Sequence, residues 1–401
     1  MRRVPPQLLL AYAAFVLIGV SAGVGGVLLP AQMGDYGVDR ATIGITFFTV
    51  SAGFVLASLG TSALIHRFGL RTALAAGGGG AWVLAGLYLA TRPPFVAFVA
   101  VQLVIGFAAG VLETALNIYL AALPGATTLL NRLHAFWGAG ALIGPVLASW
   151  ILESASWTVV WLVLAVAGIP LIAGFLLAHP GPEPEPEPGP GPEPSGPAAG
   201  PSAAPDAGGL LRAALRERGV LLGGTMLTVY VGLELGVGSW GFSYLVQARA
   251  LPGSLAGYSI SGYWLGLTLG RFLISPVAAR IGMTAAGMMY ACLAGVAAAV
   301  TLAWLSPAAA GASVALMLLG FFLGPIFPTT MAIAPRLAEA RLVPSAIGVM
   351  NAASVVGGAA LPWLAGVITQ SAGIRMLLPY ALTLAAALFA VWRPLARRIR
   401  G

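Results

Sequence analysis

The chain has 401 residues, 59% of them hydrophobic and only 8% charged, with a formal net charge of +8. A soluble domain carries about 25% charged residues, so this composition excludes a soluble globular protein. The positive balance follows from membrane topology rather than from a nucleic-acid surface, and no nucleic-acid partner is expected.

Apolar runs of about 20 residues, the length a helix needs to cross the hydrocarbon core, recur along the chain. They cover 8–30, 41–65, 72–90, 94–122, 131–152, 157–178, 220–246, 254–278, 284–305, 311–334, 344–369 and 374–393. The first run follows Arg2 and Arg3 as a signal peptide would, but it is too long and no small-residue cleavage site closes it. It reads as a retained first helix. Between the sixth and seventh runs lies HPGPEPEPEPGPGPEPSGPAAGPSAAPDAGG, residues 179–209. Alternating Pro and Glu cannot build a core and favours extended chain. The sequence therefore divides into a six-helix unit over 1–178, a disordered cytoplasmic linker over 179–219 and a second six-helix unit over 220–401.

All twenty cations are arginine, and their positions alternate from loop to loop. Arg2, Arg3, Arg67, Arg71, Arg132, Arg212, Arg216, Arg218, Arg280, Arg336, Arg341, Arg393, Arg397, Arg398 and Arg400 fall on one side, against Arg40, Arg92, Arg249 and Arg375 on the other. Arg271 lies inside a span. This asymmetry predicts a multi-pass protein of the plasma membrane, the inner membrane in a bacterium, with both termini cytoplasmic. Cys292 is the only cysteine, which leaves no disulfide framework and no thiolate metal site. No cofactor is expected.

The two halves align at an offset of 213 residues: Gly19, Gly23, Val24 and Gly25 fall on Gly232, Gly236, Val237 and Gly238. Gly44, Gly53, Leu56, Ser62, Arg67 and Gly69 fall on Gly257, Gly266, Leu269, Ser275, Arg280 and Gly282, giving ten identities in 51 positions. After one inserted residue, Gly106-Phe107 and Gly110 match Gly320-Phe321 and Gly324. Parallel six-helix repeats are an architecture of transporters that bind substrate between the halves near the midplane. The loop SALIHRFGLR, residues 62–71, resembles the signature loop of the major facilitator superfamily. Arg67, Gly69 and Arg71 match it; Ser62 stands for a Gly and His66 for an Asp. The resemblance implies an all-α membrane protein of major facilitator fold, with twelve transmembrane helices in two pseudo-symmetric six-helix bundles. It also implies a gating loop at Arg67, Gly69 and Arg71, with Arg280 and Gly282 as counterparts in the second half.

Only Glu113 and Glu234, of twelve acidic residues, lie deep in spans. A charge at the centre of a transmembrane helix costs about 2.5–3.5 kcal/mol unless it meets a cavity or a partner. On the fourth helix Gly106, Gly110, Glu113 and Asn117 share one face, which is expected to line the interior. Asn131, His134 and Gly138 group on the fifth helix, and Ser261, Trp264, Thr268 and Arg271 on the eighth. Glu113 reads as a proton site and substrate contact, or else as a protonated group bonding a neighbouring helix. Glu234 and His134 have the same two readings, coupling or structural. Asn117 and Asn131 suit hydroxyl ligands or interhelical hydrogen bonds. Trp264 and the adjoining Tyr263 are candidates for stacking on a ring, although aromatics also pack helices. Depth counting places Arg271 and Glu234 about 10 Å apart, so pairing between them is not expected. Trp150, Trp157 and Trp304 fit an aromatic belt at the span ends.

A second resemblance rests on ETALNIYL, residues 112–120 with the preceding Leu, and LNRLHAFWGAGALIGP, residues 130–145. Both are similar to the fourth and fifth helices of the fucose permease branch, which includes bacterial fucose–proton symporters and animal sodium-dependent glucose transporters. Glu113, Thr114, Ala115 and Asn117 match the fourth-helix motif and Leu130-Asn131 the fifth. The resemblance carries proton coupling and sugar binding to Glu113. The first-helix Asp of the fucose symporter is missing, since Gly25-Gly26 precede Val27-Leu28-Leu29-Pro30, so fucose itself is not expected.

No reactive constellation points to an enzyme, and the glycines at 77–80 lack the Lys of a phosphate loop. The resulting expectation is a secondary active transporter working by alternating access: a monomer in the lipid bilayer that carries a sugar or similar small polar solute, with a proton or sodium as coupling ion. The alternative is a proton-coupled exporter of lipophilic compounds, or a lipid transporter, on the same fold.

Overall fold

A hydrocarbon interior offers no hydrogen-bond partners, so a crossing chain satisfies its backbone within helices. The computed structural model describes residues 5–179 and 207–399, and the regular structure among them is all helical. Arg2, Arg3, Arg400 and most of the expected linker, 180–206, lie outside the described residues.

Helix α1 (Pro6–Tyr36) starts with proline in its first turn, where an N–H would have no partner anyway, and stops at Gly37 in the left-handed region, φ 64. Helix α2 (Ile45–Thr72) is preceded by one turn, Arg40–Ile43, and α3 (Ala81–Ala90) by a π-helical stretch, Ala73–Gly80. There the glycine run lets Gly78 lie on Leu112 and Gly79 on Ile172. Helices α4 (Phe95–Ala121), α5 (Ala126–Leu152) and α6 (Trp157–Ala178) complete the first bundle. The second holds α7 (Arg218–Arg249), α8 (Gly253–Arg280), α9 (Ala285–Leu305), α10 (Ala309–Leu323, continued as Ile326–Ala332), α11 (Val343–Ala372) and α12 (Leu377–Arg398). Ten described stretches are long and apolar enough to cross a membrane. One of them, Arg40–Ala90, contains both α2 and α3, and the more polar α8 is the remaining crossing.

The linker expected to run to residue 219 ends earlier, because Ala207–Arg216 forms a helix and α7 begins at Arg218. Ala214 is buried, and the short helix packs against α11. The Pro/Glu composition stops before residue 207, and GLLRAALR that follows is a good helix former.

The repeat seen in the sequence is a repeat of close helix contacts. Gly53 of α2 lies on the Leu103 carbonyl of α4, and Gly106 of α4 on the Val50 carbonyl of α2. Their counterparts Gly266 and Gly320 bring α8 against α10 at the Met317 and Tyr263 carbonyls. Helix association in lipid relies on such van der Waals contact, because the tails are as apolar as leucine. Gly69 and Gly282, also 213 apart, turn the chain at φ 77 and φ 71, where a side chain would be strained.

Replacing Gly320 by valine should lower stability by about 1–3 kcal/mol through overpacking, read as a fall in thermal midpoint in detergent. Gly60→Ala, where a methyl group meets nothing within 4 Å, should stay within about 0.5 kcal/mol of the parent protein.

Candidate functional site

The two bundles touch along a seam at the end of the molecule opposite Pro6 and Arg398. Asp39 accepts from the Thr42 backbone N–H at 2.8 Å and caps the turn that presents Arg40. That hydrogen bond holds the Asp39 carboxyl below the usual carboxylate range. The cap is therefore complete above the ordinary Asp value of about 3.9, and is lost as pH falls through the lowered one. From this platform Arg40 crosses to the second bundle. Its Nη2 donates to Gln247 Oε1 at 2.6 Å and its Nη1 to the Thr369 carbonyl at 3.0 Å, while its backbone N–H reaches Gln370 Oε1 at 3.3 Å. Trp363 Nε1 donates to the Ala41 carbonyl at 3.1 Å, and Gly26 of α1 lies directly on the backbone of Gly238 and Ser239 in α7.

Nearer the middle the seam is aromatic. Trp137 of α5 meets Trp264 of α8 edge-on, with ring centroids 5.9 Å apart, and Gly138 accommodates Thr268. Behind this contact lies a polar cluster in the second bundle: Arg271 Nη2 stands 3.2 Å from Glu234 Oε1, with Tyr230 beside both. The pairing corrects the depth argument from sequence. Side chains lean toward the N-terminus of their own helix, and α7 and α8 run in opposite directions. Glu234 and Arg271 therefore lean toward each other and close the gap between their backbones.

The expected site residues divide into three groups. Glu234, Tyr263, Trp264 and Arg271 are brought together, and His134 on α5 lies within the field of Arg271 across the seam. Tyr263 is fully buried and donates its hydroxyl to the Glu234 backbone carbonyl at 2.9 Å, which makes it a brace for α7 rather than an open ligand. Trp264 is 2% exposed, so neither face of its ring is free for stacking in this conformation. The second group is on the first bundle. Glu113 is half-buried on α4, and no ion pair reaches its carboxylate among the described residues. Asn117 donates to the Glu113 backbone carbonyl at 2.7 Å, and Asn131 is exposed near the start of α5. Because α5 begins at Ala126, His134 sits about two turns inside it rather than at its start, and its ring edge meets Phe15. The glycine half of the expected interior face is not open: Gly106 and Gly110 are pressed on Val50, Phe54 and Ala57 of α2. The third group is the gating loops, where Gly69 and Gly282 make the turns, Arg67 lies over the Phe68 ring at 5.2 Å, and Arg71 and Arg280 lie at the same end of the bundles.

Trp157 is not a belt residue: it is 2% exposed and donates to Asp35 Oδ2 at 2.9 Å, and the same carboxylate pairs with Arg92. Trp150 and Trp304 are exposed, as a belt requires. The Arg40 bridge was not singled out from sequence. Its signal was present, since Arg40, Arg92 and Arg249 defy the arginine bias. Each is held by specific partners, Arg249 by the carbonyls of Ala303, Trp304 and Ser306 at the end of α9.

Two six-helix bundles meeting at one end, with polar groups inside the seam, define a membrane transporter rather than an enzyme. The Major Facilitator Superfamily profile matches residues 10–315, and the chain belongs to that family. Among curated proteins it is similar to Bypass of stop codon protein 6 of Saccharomyces cerevisiae, at 28% identity over 428 residues, covering 98% of this chain and 83% of the yeast protein. Among solved structures it is similar to a bacterial homologue of the human lysosomal transporter Spinster in an inward-facing, unoccupied conformation. That match has a TM-score of 0.75 at 12% identity, over 99% of this chain and 98% of the other. The E. coli fucose:proton symporter FucP matches with a TM-score of 0.61 at 16% identity, over 96% of this chain and 97% of the other, and 0.59 in its outward conformation.

Each hydrogen bond in the Arg40 bridge contributes about 0.5–1.5 kcal/mol net. Removing about 3 kcal/mol in total would shift the balance of closed and open seam roughly a hundredfold. A cysteine at Phe47, which packs on Trp240 beneath the bridge, should react many-fold faster with a water-soluble thiol reagent when Arg40→Ala is added. An unchanged rate would show that the bridge does not hold the seam.

Proposed function

We propose that this transporter is a proton-coupled symporter of a sugar or similar small hydroxylated solute, working by alternating access with Glu113 as the protonation site. The observation that carries the reading is the state of Glu113: a carboxylate inside a transmembrane helix, half-buried, with no cation paired to it among the described residues. Such a group is costly unless it takes up a proton or faces water. Gaining the proton on one side and losing it on the other is the step a symporter needs. The match of Glu113, Thr114, Ala115 and Asn117 to the fucose permease motif supports this choice, as does the likeness to FucP. The arginine asymmetry supports a plasma-membrane protein with the Pro6 and Arg398 end in the cytoplasm. The Arg40 seam then closes the outer side. A monomer suffices, because both halves of the pathway come from one chain.

A second reading has an observation of its own. An apolar groove of about 560 Å³ opens between α5 and α8, lined by Leu142, Ile143, Val146, Leu147, Trp150 and Tyr258. A groove of this kind would admit a lipid chain or lipophilic compound from the bilayer, as an exporter or lipid transporter requires.

Thermal unfolding with hexoses, polyols, lipophilic cations and lipids separates the two readings, because a ligand at 100 times its Kd adds about 2.7 kcal/mol. Stabilisation by hydroxylated solutes is expected, and a response confined to lipophilic compounds would replace the first reading with the second. In proteoliposomes, Glu113→Gln should abolish uptake driven by a pH gradient while leaving solute exchange at equal pH. Intact gradient-driven uptake in that variant would remove Glu113 from the proton pathway.

A further inference from the structure

Arg271 stands nine residues before the end of α8, about 14 Å inside the helix. A guanidinium there carries five N–H donors and a charge it does not lose. One of those donors meets the Glu234 carboxylate at 3.2 Å, and the Tyr230 hydroxyl lies against the guanidinium as well. The Nε–H is buried without a partner, and about a third of the side chain is exposed. The Tyr230 hydroxyl, one turn before Glu234, is buried beside both charges and within reach of each. Two turns before Arg271 on the same face of α8, the Trp264 Nε1–H is buried without a partner. Glu234 is the single acceptor carboxylate of the cluster, and His134, the titratable group facing it across the seam, brings no negative charge.

A buried surplus of donors around one fixed cation calls for an acceptor-rich anion. We infer that the solute carried by this protein is a monoanionic hydroxy acid, such as a sugar acid, whose carboxylate docks on the donors of Arg271 that Glu234 leaves unpaired. A carboxylate matches the planar fork of a guanidinium, and a single guanidinium that already faces Glu234 suits one further negative charge better than a phosphate dianion. The inference rests on the symport reading above and narrows its substrate class. It also has an electrical consequence. One proton on Glu113 moving with one monoanion transfers no net charge, whereas a proton with a neutral sugar transfers one.

The test compares D-gluconate with D-glucose, its neutral counterpart, by thermal unfolding and by uptake into proteoliposomes. Gluconate should stabilise the parent protein and glucose should not, and Arg271→Gln should weaken gluconate binding at least tenfold. If that variant fails to fold because Glu234 is left unpaired, the double variant Arg271→Gln with Glu234→Gln removes the stranded charge and should show the same loss. Gluconate uptake at a fixed pH gradient should not respond to a potassium diffusion potential. Glucose binding that survives Arg271→Gln, with no gluconate response, would overturn the anion site while leaving the hydroxylated-solute reading intact. Gluconate binding unchanged by Arg271→Gln would overturn it as well. No response to either solute, with stabilisation by lipophilic compounds, would sink both.

Discussion

Lipid surrounds this protein with a medium that accepts no hydrogen bonds, and most of its architecture follows from that constraint. Helices cannot be driven together by hiding apolar surface from water, so they approach through glycines until backbones touch. Gly53 with Gly106, and Gly266 with Gly320, place α2 on α4 and α8 on α10 in the same way. The two bundles are equivalent solutions of one packing problem, which is why their turns at Gly69 and Gly282 also coincide.

The same constraint sorts the polar side chains. Threonines and serines return their hydroxyls to carbonyls within their own helices, as Thr61 does to Ala57 and Thr268 to Trp264. Arg40, Arg92 and Arg249, at the end opposite Pro6 and Arg398, are held by specific acceptors. What is left over is informative: Glu113 without a cation among the described residues, and Arg271 with more donors than acceptors. These sit in different bundles. A two-bundle machine that closes one end with the Arg40 bridge, of a few kcal/mol, can be reopened by a comparable amount of binding energy. On the proposed symport reading, coupling needs only that a proton and a solute each favour one arrangement.

Much of the fold was legible in the sequence because hydropathy, arginine placement and glycine spacing are local signals read one helix at a time. Twelve spans, the two halves and the turn glycines are of this kind. The site was legible in part. Glu113 and Glu234 stand out as acids in apolar helices, but whether a face is open or packed depends on the neighbour. Gly106 and Gly110 looked like the wall of a cavity and proved to be the bed for α2. Depth counting separated Arg271 from Glu234, because it measured backbone positions and ignored the opposed lean of side chains on antiparallel helices. Trp157 read as a belt residue from its place at a span end; its partner Asp35 is 122 residues away. Pairings of that range are set by how helices assemble, and no single helix records them.

The central claim is that Glu113 carries a proton with the solute. Proteoliposomes holding an internal pH indicator, with no initial gradient, test it most directly when hexoses, polyols and aldonates are added outside. Internal acidification that tracks solute entry, and its disappearance in Glu113→Gln while the solute still exchanges, is the predicted result. Solute entry with no change in internal pH, or the same acidification in the variant, would contradict it.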